Sequence, residues 1–548
     1  MEKQRLWGTL HPFFEQGDIM GRSVANEGFI TAFLKACPYD GCHFFLADAS
    51  AVSLVQSRLN ALCPDRVKDG FFRVKTRSFL PDALAASEYA VFHLSDCVAD
   101  TVPLIRLRNA LSRSLFAVTG TTHSLSYARY PLYFFDQLWA GITKRDAVIA
   151  TSRCAVHALS SLFSSLREGY KLDAEFITPQ LALIPLGVNP EDFIPPEGKG
   201  EARAALRRKL AIPAEHVVFL VFARISHYSK MDILPIFRAL IRAQKRGLPQ
   251  DGFTLILSGW MDSGEESAAV YADIASRLGI SFRLAPSPDS RLRQLLFAGA
   301  DVFLSPVDNP QETFGLTMLE AGVASLPVIA SDFDGYRDLI IHGETGFLLP
   351  TLGPGATKET DALSGVWFDN QYHLQLAQQS VVSVPAMAEA IALLAADTAL
   401  RVRLGENARK HVLENFSWEQ VVRRYLALWE ELAATPISPP PAAHPLHPDY
   451  SAVFGGYYTR LLGKDGGEAI KVQWSDFGEA VYRGKDFPLV YAGIERLIPL
   501  DDLRRMLFQA RKGVLLSRLL AGMKGLREEQ ALFLLLWALK HDLLEMVE

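Results

Sequence analysis

Residues 301–330 read DVFLSPVDNPQETFGLTMLEAGVASLPVIA. Asp301–Leu304 and Leu326–Ala330 have the length and apolar composition of buried strands. Between them the loop Thr313–Thr317 runs into a helix. A strand, a helix and a second strand in succession predict a parallel α/β arrangement. The same rhythm extends in both directions. On the N-terminal side Val217–Ala223 and Phe253–Leu257 are further candidate strands, separated by helical stretches.

A first set precedes them at Leu6–Leu10, Cys42–Ala47, Tyr89–Leu94, Leu115–Gly120, Ala147–Thr151 and Leu181–Leu186. Helical patterns such as Val24–Ala36 and Thr101–Arg113 lie between several of these strands. The strands are apolar without strict alternation, as expected when helices cover both faces of a parallel sheet. The stretch Asn189–Arg203, rich in Pro, Gly and charge, reads as a linker between two α/β domains. Two doubly wound domains on one linker face each other across a cleft, and ligands bind at the carboxyl ends of such strands.

Downstream, Thr351–Val384 breaks the rhythm and reads as an irregular segment. Helices resume at Val384–Ala395, Ala399–Glu414 and the amphipathic Phe416–Leu432, with Ser417 as N-cap. Thr435–Pro448 holds six prolines in fourteen residues and reads as a semi-rigid linker. Beyond it, Arg504–Glu548 reads as several helices. The segment Ala531–Leu539 is too short to span a bilayer. It is open to three readings: domain core, oligomer contact or peripheral membrane contact.

The chain has 548 residues, with 56 Lys+Arg against 61 Asp+Glu. That balance argues against a protein that coats nucleic acid. Cys37, Cys42, Cys63, Cys97 and Cys154 are few and odd in number, so they read as packing residues and a reducing cytoplasm is expected. The first residues lack the apolar core of a signal peptide, and no run of about 18 apolar residues suggests a membrane span.

Four loops carry candidate chemistry. Glu312 and Glu320 flank Thr313–Thr317. If helical throughout, their separation would be at most about 12 Å. Gly315 admits a ligand close to the backbone, and the helix N-terminus favours an anion. Carboxylates on either side suit sugar hydroxyls, so the ligand described is a nucleotide sugar. Two glutamates on a solvated helix face are the plain alternative. Arg224 and Lys230, after the strand Val217–Ala223, would neutralise a diphosphate, or simply sit on a solvated loop. Gly17 and Gly21 form a glycine-bearing turn before a helix, without a dinucleotide or P-loop spacing. His123, at the end of Leu115–Gly120, can bond a substrate or carry a proton, although a packed polar role is commoner.

Together these pieces resemble the retaining group 1 glycosyltransferases of the GT-B fold. The glutamate–seven–glutamate motif matches at Glu312 and Glu320, and the TFG-containing core at Thr313–Glu320. Arg224, Lys230, Met231 and Asp232 match another family block. DAVIATS (Asp146–Ser152), IPLGVNPEDF (Ile184–Phe193), GETGFLL (Gly343–Leu349) and LGENARKHVLENFSWEQVVRRY (Leu404–Tyr425) follow in the family's order.

The resemblance covers residues 1–433. It implies an acceptor domain at 1–190, completed by a crossing helix at 416–434, and a donor domain at 203–415. A proline-rich linker at 435–450 and a mostly helical accessory domain at 451–548 follow. It also implies Glu312 on the donor-sugar hydroxyls and Glu320 on the nucleotide ribose. Arg224 and Lys230 would hold the diphosphate, with Phe314, Gly315, Leu316 and Thr317 beside it. His123 would lie near the transferred sugar and Gly21 or Gly17 in the N-terminal glycine loop.

Three departures stand out. Arg224 and Lys230 are one residue further apart than in many members. Asp334-Gly335 replaces a pair of glycines. The N-terminal Gly-Gly signature is missing.

The activity implied is metal-independent transfer of a hexose, with retention, from a nucleotide donor expected to be UDP-linked. No cofactor is expected, and Asp332-Phe333-Asp334 is discounted as a metal motif. The acceptor is left open among a glycan, a lipid-linked sugar, a protein and a small molecule. A nucleotide-sugar epimerase or phosphorylase of the same fold, and a non-catalytic sugar-binding or scaffold subunit, are the competing readings.

Overall fold

The computed structural model describes residues 5–15, 21–173, 176–261, 267–367, 369–462, 470–491 and 493–547. Gly17 lies outside them. The chain forms two compact units, Met1–His444 and Pro445–Glu548.

The first unit contains two parallel sheets. One is built from β1 (Leu6–Thr9), β2 (Gly41–Leu46), β3 (Phe72–Thr76), β4 (Tyr89–Leu94), β5 (Ala117–Thr121), β6 (Ala147–Ala150) and β7 (Gln180–Leu183), in the order β3-β2-β1-β4-β5-β6-β7. The other comprises β8 (Val217–Phe222), β9 (Phe253–Gly259), β10 (Phe282–Pro286), β11 (Val302–Ser305), β12 (Val328–Ser331) and β13 (Gly346–Leu349), in the order β10-β9-β8-β11-β12-β13. Central strands such as GCHFFL and FTLILSG are buried along their whole length. This is the expected signature of a sheet covered on both faces.

Strand order reverses between β1 and β4 and again between β8 and β11. At such switch points the loops leaving adjacent strands diverge and open a crevice beyond their carboxyl ends.

The helix Trp418–Ala434 begins at Ser417, whose hydroxyl accepts from Gln420 N–H. It packs against the helix Gly21–Ala36 on the first sheet. Tyr425 packs against Phe29 with ring centroids 4.7 Å apart and the planes tilted by 51°, and the Tyr425 hydroxyl bonds Thr121 at 2.9 Å. Trp429 Nε1 donates to Thr119 at 3.1 Å. Gly28 and Gly187 leave room for Trp418, since a Cβ on either would fall 2.4 or 2.6 Å from its ring. The start of the proline-rich stretch is tied to this unit as well. Thr435 and Ala443 carbonyls accept from Arg145 Nε (2.8 Å) and Trp139 Nε1 (2.7 Å).

The stretch read as a linker, Asn189–Arg203, holds the short turn Pro190–Phe193 and the start of the helix Lys199–Leu210. The segment read as irregular holds the antiparallel pair Thr351–Leu352 and Val381–Val382 around two short helices.

The second unit has its own core, including Val472, Leu503, Leu507, Leu534 and Leu535. To helices at Leu500–Ala510, Leu516–Gly522 and Glu528–Lys540 it adds a small antiparallel sheet. There Lys471–Trp474 pairs with both Val514–Leu515 and Leu544–Val547. Within Ala531–Leu539, Leu534, Leu535 and Trp537 are buried in this core while Phe533 and Leu536 are exposed. Among the described residues no helix is long and apolar enough to cross a membrane.

Candidate active site

The crevices of the two sheets form one cleft of about 520 Å³. Its walls include Gly21, His123, Arg224, Lys230, Glu312, Phe314, Gly315, Leu316, Thr317 and Glu320. The expected site residues among the described ones therefore line the same space, with Gly21 and not Gly17 standing for the N-terminal glycine loop.

Arg224 and Lys230 lie in the loop leaving β8. Met231 is buried beneath this loop, and Asn309 Nδ2, from the loop after β11, donates to Tyr228 O at 2.9 Å. That bond ties together the two loops flanking the switch point. Lys230 Nζ forms an ion pair with Glu312. The other Glu312 oxygen accepts from the backbone N–H groups of Thr313 and Phe314, both at 3.2 Å. Burial pushes the Glu312 carboxyl up, but the Lys230 charge and these hydrogen bonds outweigh it and hold it below the ordinary value. Glu312 is thus an anchored carboxylate.

Gly315 has φ +103, and a Cβ there would fall 2.3 Å from the ring of the buried Tyr336. Only glycine fits this approach. It admits the chain into the helix Leu316–Val323, whose first-turn N–H groups have no partner within the helix.

Two buried atoms here, Thr317 Oγ1 and Glu320 Oε2, have no hydrogen-bond partner among the described residues. Unpaired polar atoms in a protein interior are costly, and at a cleft wall they mark positions where a ligand can supply the partner. Burial lifts the Glu320 carboxyl above its ordinary value, with the neighbouring Arg293 offsetting part of the rise.

On the opposite wall, His123 Nε2 lies 2.8 Å from Ser95 O. A carbonyl only accepts, so Nε2 carries the proton and Nδ1 is the acceptor. Burial depresses this imidazole and favours its neutral form. Gly21 opens the helix Gly21–Ala36, and an added Cβ would meet nothing within 4 Å. Its neighbour Arg22 pairs with Glu15 at 3.2 Å.

The two halves are bound together across the cleft. Ser124 Oγ donates to Gln311 O at 2.6 Å, Gln311 Nε2 to Tyr127 Oη at 2.8 Å, and Arg153 N–H to Asp338 at 2.6 Å. Of the Asp332-Phe333-Asp334 motif, Asp332 is held by Arg337 Nε at 2.9 Å. Asp334 is pushed up to about 7 by burial and by the nearby Glu312.

Arg293, Trp260, Tyr127 and Asp369 also line the cleft, and sequence reasoning passed over them. Trp260 directly follows β9, so the strand-end rule could have found it. Arg293 lies on the helix Ser290–Gly299 and belongs to no motif.

Residues 202–359 match the family described as glycosyl transferases group 1. D-inositol 3-phosphate glycosyltransferase of Salinispora arenicola is 27% identical over 252 residues, which are 45% of this chain and 49% of that protein. The lipopolysaccharide core biosynthesis mannosyltransferase LpcC of Rhizobium leguminosarum bv. viciae is 29% identical over 297 residues, 53% of this chain and 66% of the relative. The chain thus spans about half to two thirds of the length of these relatives.

Among solved structures, a glycosyltransferase from Rickettsia africae superposes with a TM-score of 0.51 at 16% identity, covering 80% of this chain and all of that one. Anabaena Alr3699/HepE in complex with UDP and glucose gives 0.50 at 16% identity, covering 78% of this chain and 100% of that chain. At such identities the likeness is one of fold. With the twin parallel sheets it gives the GT-B fold, and within that fold residues 202–359 are similar to the group 1 glycosyl transferases.

Proposed function

We propose that the chain transfers a hexose from a nucleotide sugar, UDP-linked, to an acceptor bound against the first α/β half, with retention of configuration. The observation that supports this most is the convergence of Glu312, Glu320, Arg224, Lys230 and the Gly315 turn on one cleft, where buried Thr317 Oγ1 and Glu320 Oε2 have no partner among the described residues. Both curated relatives carry names of sugar transferases, and the Anabaena structure holds UDP and glucose, so UDP-hexoses are the first donors to test.

In this reading negative charge develops on the departing diphosphate. Arg224, Lys230 and the N-terminus of the helix Leu316–Val323 neutralise it, a preorganised electrostatic contribution that needs no divalent metal. The Lys230 ammonium has three donors and can serve Glu312 and a phosphate oxygen together. Glu312, fixed by two backbone N–H groups, receives donor-sugar hydroxyls, and Glu320 receives the ribose. His123 Nδ1 accepts a hydrogen bond from the transferred sugar. The acceptor hydroxyl attacks from the face the diphosphate leaves, and its proton passes to the leaving phosphate oxygen. Hydrogen bonds that join the two halves keep water out during transfer.

The test is nucleotide release across a panel of sugar nucleotides with candidate acceptors, followed by intact-mass analysis of the product. Release only when an acceptor is present supports transfer. Interconversion of the donor sugar without an acceptor supports an epimerase, and no turnover with any pair overturns the enzymatic reading.

A further inference from the structure

Arg293 reaches the cleft from the helix Ser290–Gly299, a surface the motifs do not touch. Its guanidinium carbon lies 5.0 Å from the Phe193 ring centroid and 5.7 Å from that of Phe222. Phe193 comes from the turn between the two halves and Phe222 from the end of β8, so two separate elements fix the cation. The planar guanidinium stacks on such rings. Its Nη2 forms an ion pair with Oε1 of Glu320, whose side chain is only 6% exposed.

The second oxygen, Oε2, is buried and has no partner among the described residues. The carboxylate therefore has one oxygen taken by a fixed cation and one left without a partner among the described residues, on a side chain that lines the cleft. Two other charged groups bear on Glu320. Asp192 disfavours its ionised form and Lys230 favours it. Lys230 is already engaged with Glu312, which among the described residues leaves Arg293 as the cation in direct contact.

We infer that Arg293 is a positioning residue: it holds Glu320 ionised and orients it, so that Oε2 is presented to the hydroxyls of the donor's ribose. The inference rests on the proposed ribose role of Glu320. It assigns to Arg293 no contact with the reacting atoms. Its consequence is that discrimination for the ribose hydroxyls, and the pH range over which it persists, are set by a residue outside every motif.

Calorimetric binding of UDP and of 2′,3′-dideoxy-UDP tests it, between about pH 5.5 and about pH 8.5. The wild-type chain should favour UDP by about tenfold or more, the scale of a buried acceptor left unpaired. In Arg293→Leu, and in the near-isosteric Arg293→Gln should the leucine variant fail to fold, that preference should collapse at low pH and return as pH rises. Its midpoint should lie above the wild-type midpoint. Arg293→Lys should restore most of the preference.

Equal loss of affinity for both nucleotides at every pH would show a merely structural role and overturn the inference. So would a neutral variant that keeps the wild-type preference and midpoint. If the wild-type chain itself binds both nucleotides equally, the ribose role of Glu320 falls first and the inference with it.

Discussion

Beneath the first sheet Arg108 and Asp146 form an ion pair almost wholly removed from solvent, and at the cleft Arg293 and Glu320 form another that is largely buried. Around Asp146 every demand is met. Arg108 Nη1 and Nη2 reach its two oxygens at 2.5 and 3.0 Å, while Thr143 donates from both N–H (2.8 Å) and hydroxyl (2.9 Å). Around Glu320 one oxygen and the nearby Thr317 hydroxyl have no partner among the described residues. Buried charge is tolerated only when paired and hydrogen-bonded. The first pair is complete by itself and serves the fold, whereas the second leaves an oxygen that the described residues do not satisfy, as the proposed ribose contact requires.

The sharpest way to break this contrast is Asp146→Ala. It leaves Arg108 charged in an apolar interior and should cost about 3–5 kcal/mol of stability, read by denaturant unfolding. A loss under about 1 kcal/mol would show that the site hydrates readily and that the pair is not structural.

Next comes Glu312→Ala, expected to lower turnover about a thousand-fold, as removal of a preorganised transition-state contact does. The melting temperature should stay near wild type. Undiminished turnover would remove Glu312 from the machinery.

Glu320→Gln should weaken nucleotide binding by about ten- to a hundred-fold, or about 1.4–2.7 kcal/mol, with less effect on the rate at saturation. An equal loss in kcat would place Glu320 nearer the chemistry.

The gentlest probe is pH. Burial drops the His93 imidazole to about 3 from an ordinary value of 6.5. Below 6.5 the unfolded chain binds a proton that the folded chain refuses. Stability therefore falls as pH drops from about 6.5 toward about 3, by at most about 1.4 kcal/mol per pH unit from this group. In His93→Gln the slope of unfolding free energy against pH should lose about one proton across that window. An unchanged slope would mean that His93 is protonated in the fold.

The central strands were legible because each is a continuous apolar run. Strands β3, β10 and β13 were not, and all three lie at sheet edges. An edge strand is partly exposed and tolerates charge, as FRVKT in β3 does with Arg73 and Lys75. The cleft residues were legible because they sit just beyond strand ends at characteristic spacings. Arg293 was not, because its meaning depends on Glu320, twenty-seven positions away on a different helix, and on two aromatic rings from elsewhere. Local spacing records chain neighbours, whereas this contact exists only once the sheet has brought two helices side by side. The small sheet of the second unit was missed for a related reason: Val514–Leu515 is too short to read as a strand without its partner Lys471–Trp474.

The helix Trp418–Ala434 gives the chain a schedule during synthesis. The last strand of the first sheet ends at Leu183, but Tyr425 and Trp429, which cover Phe29, Phe33 and His93, come roughly 240 residues later. At about 5–20 residues per second the ribosome needs about 12–50 s to supply them. During that interval the first half lacks the helix that covers its aromatic face, and the strands of the second sheet are complete once Leu349 has been made, about 70 residues before that helix. All the strands of the second sheet are thus made before the first sheet receives its last covering helix, although the first sheet comes earlier in the sequence.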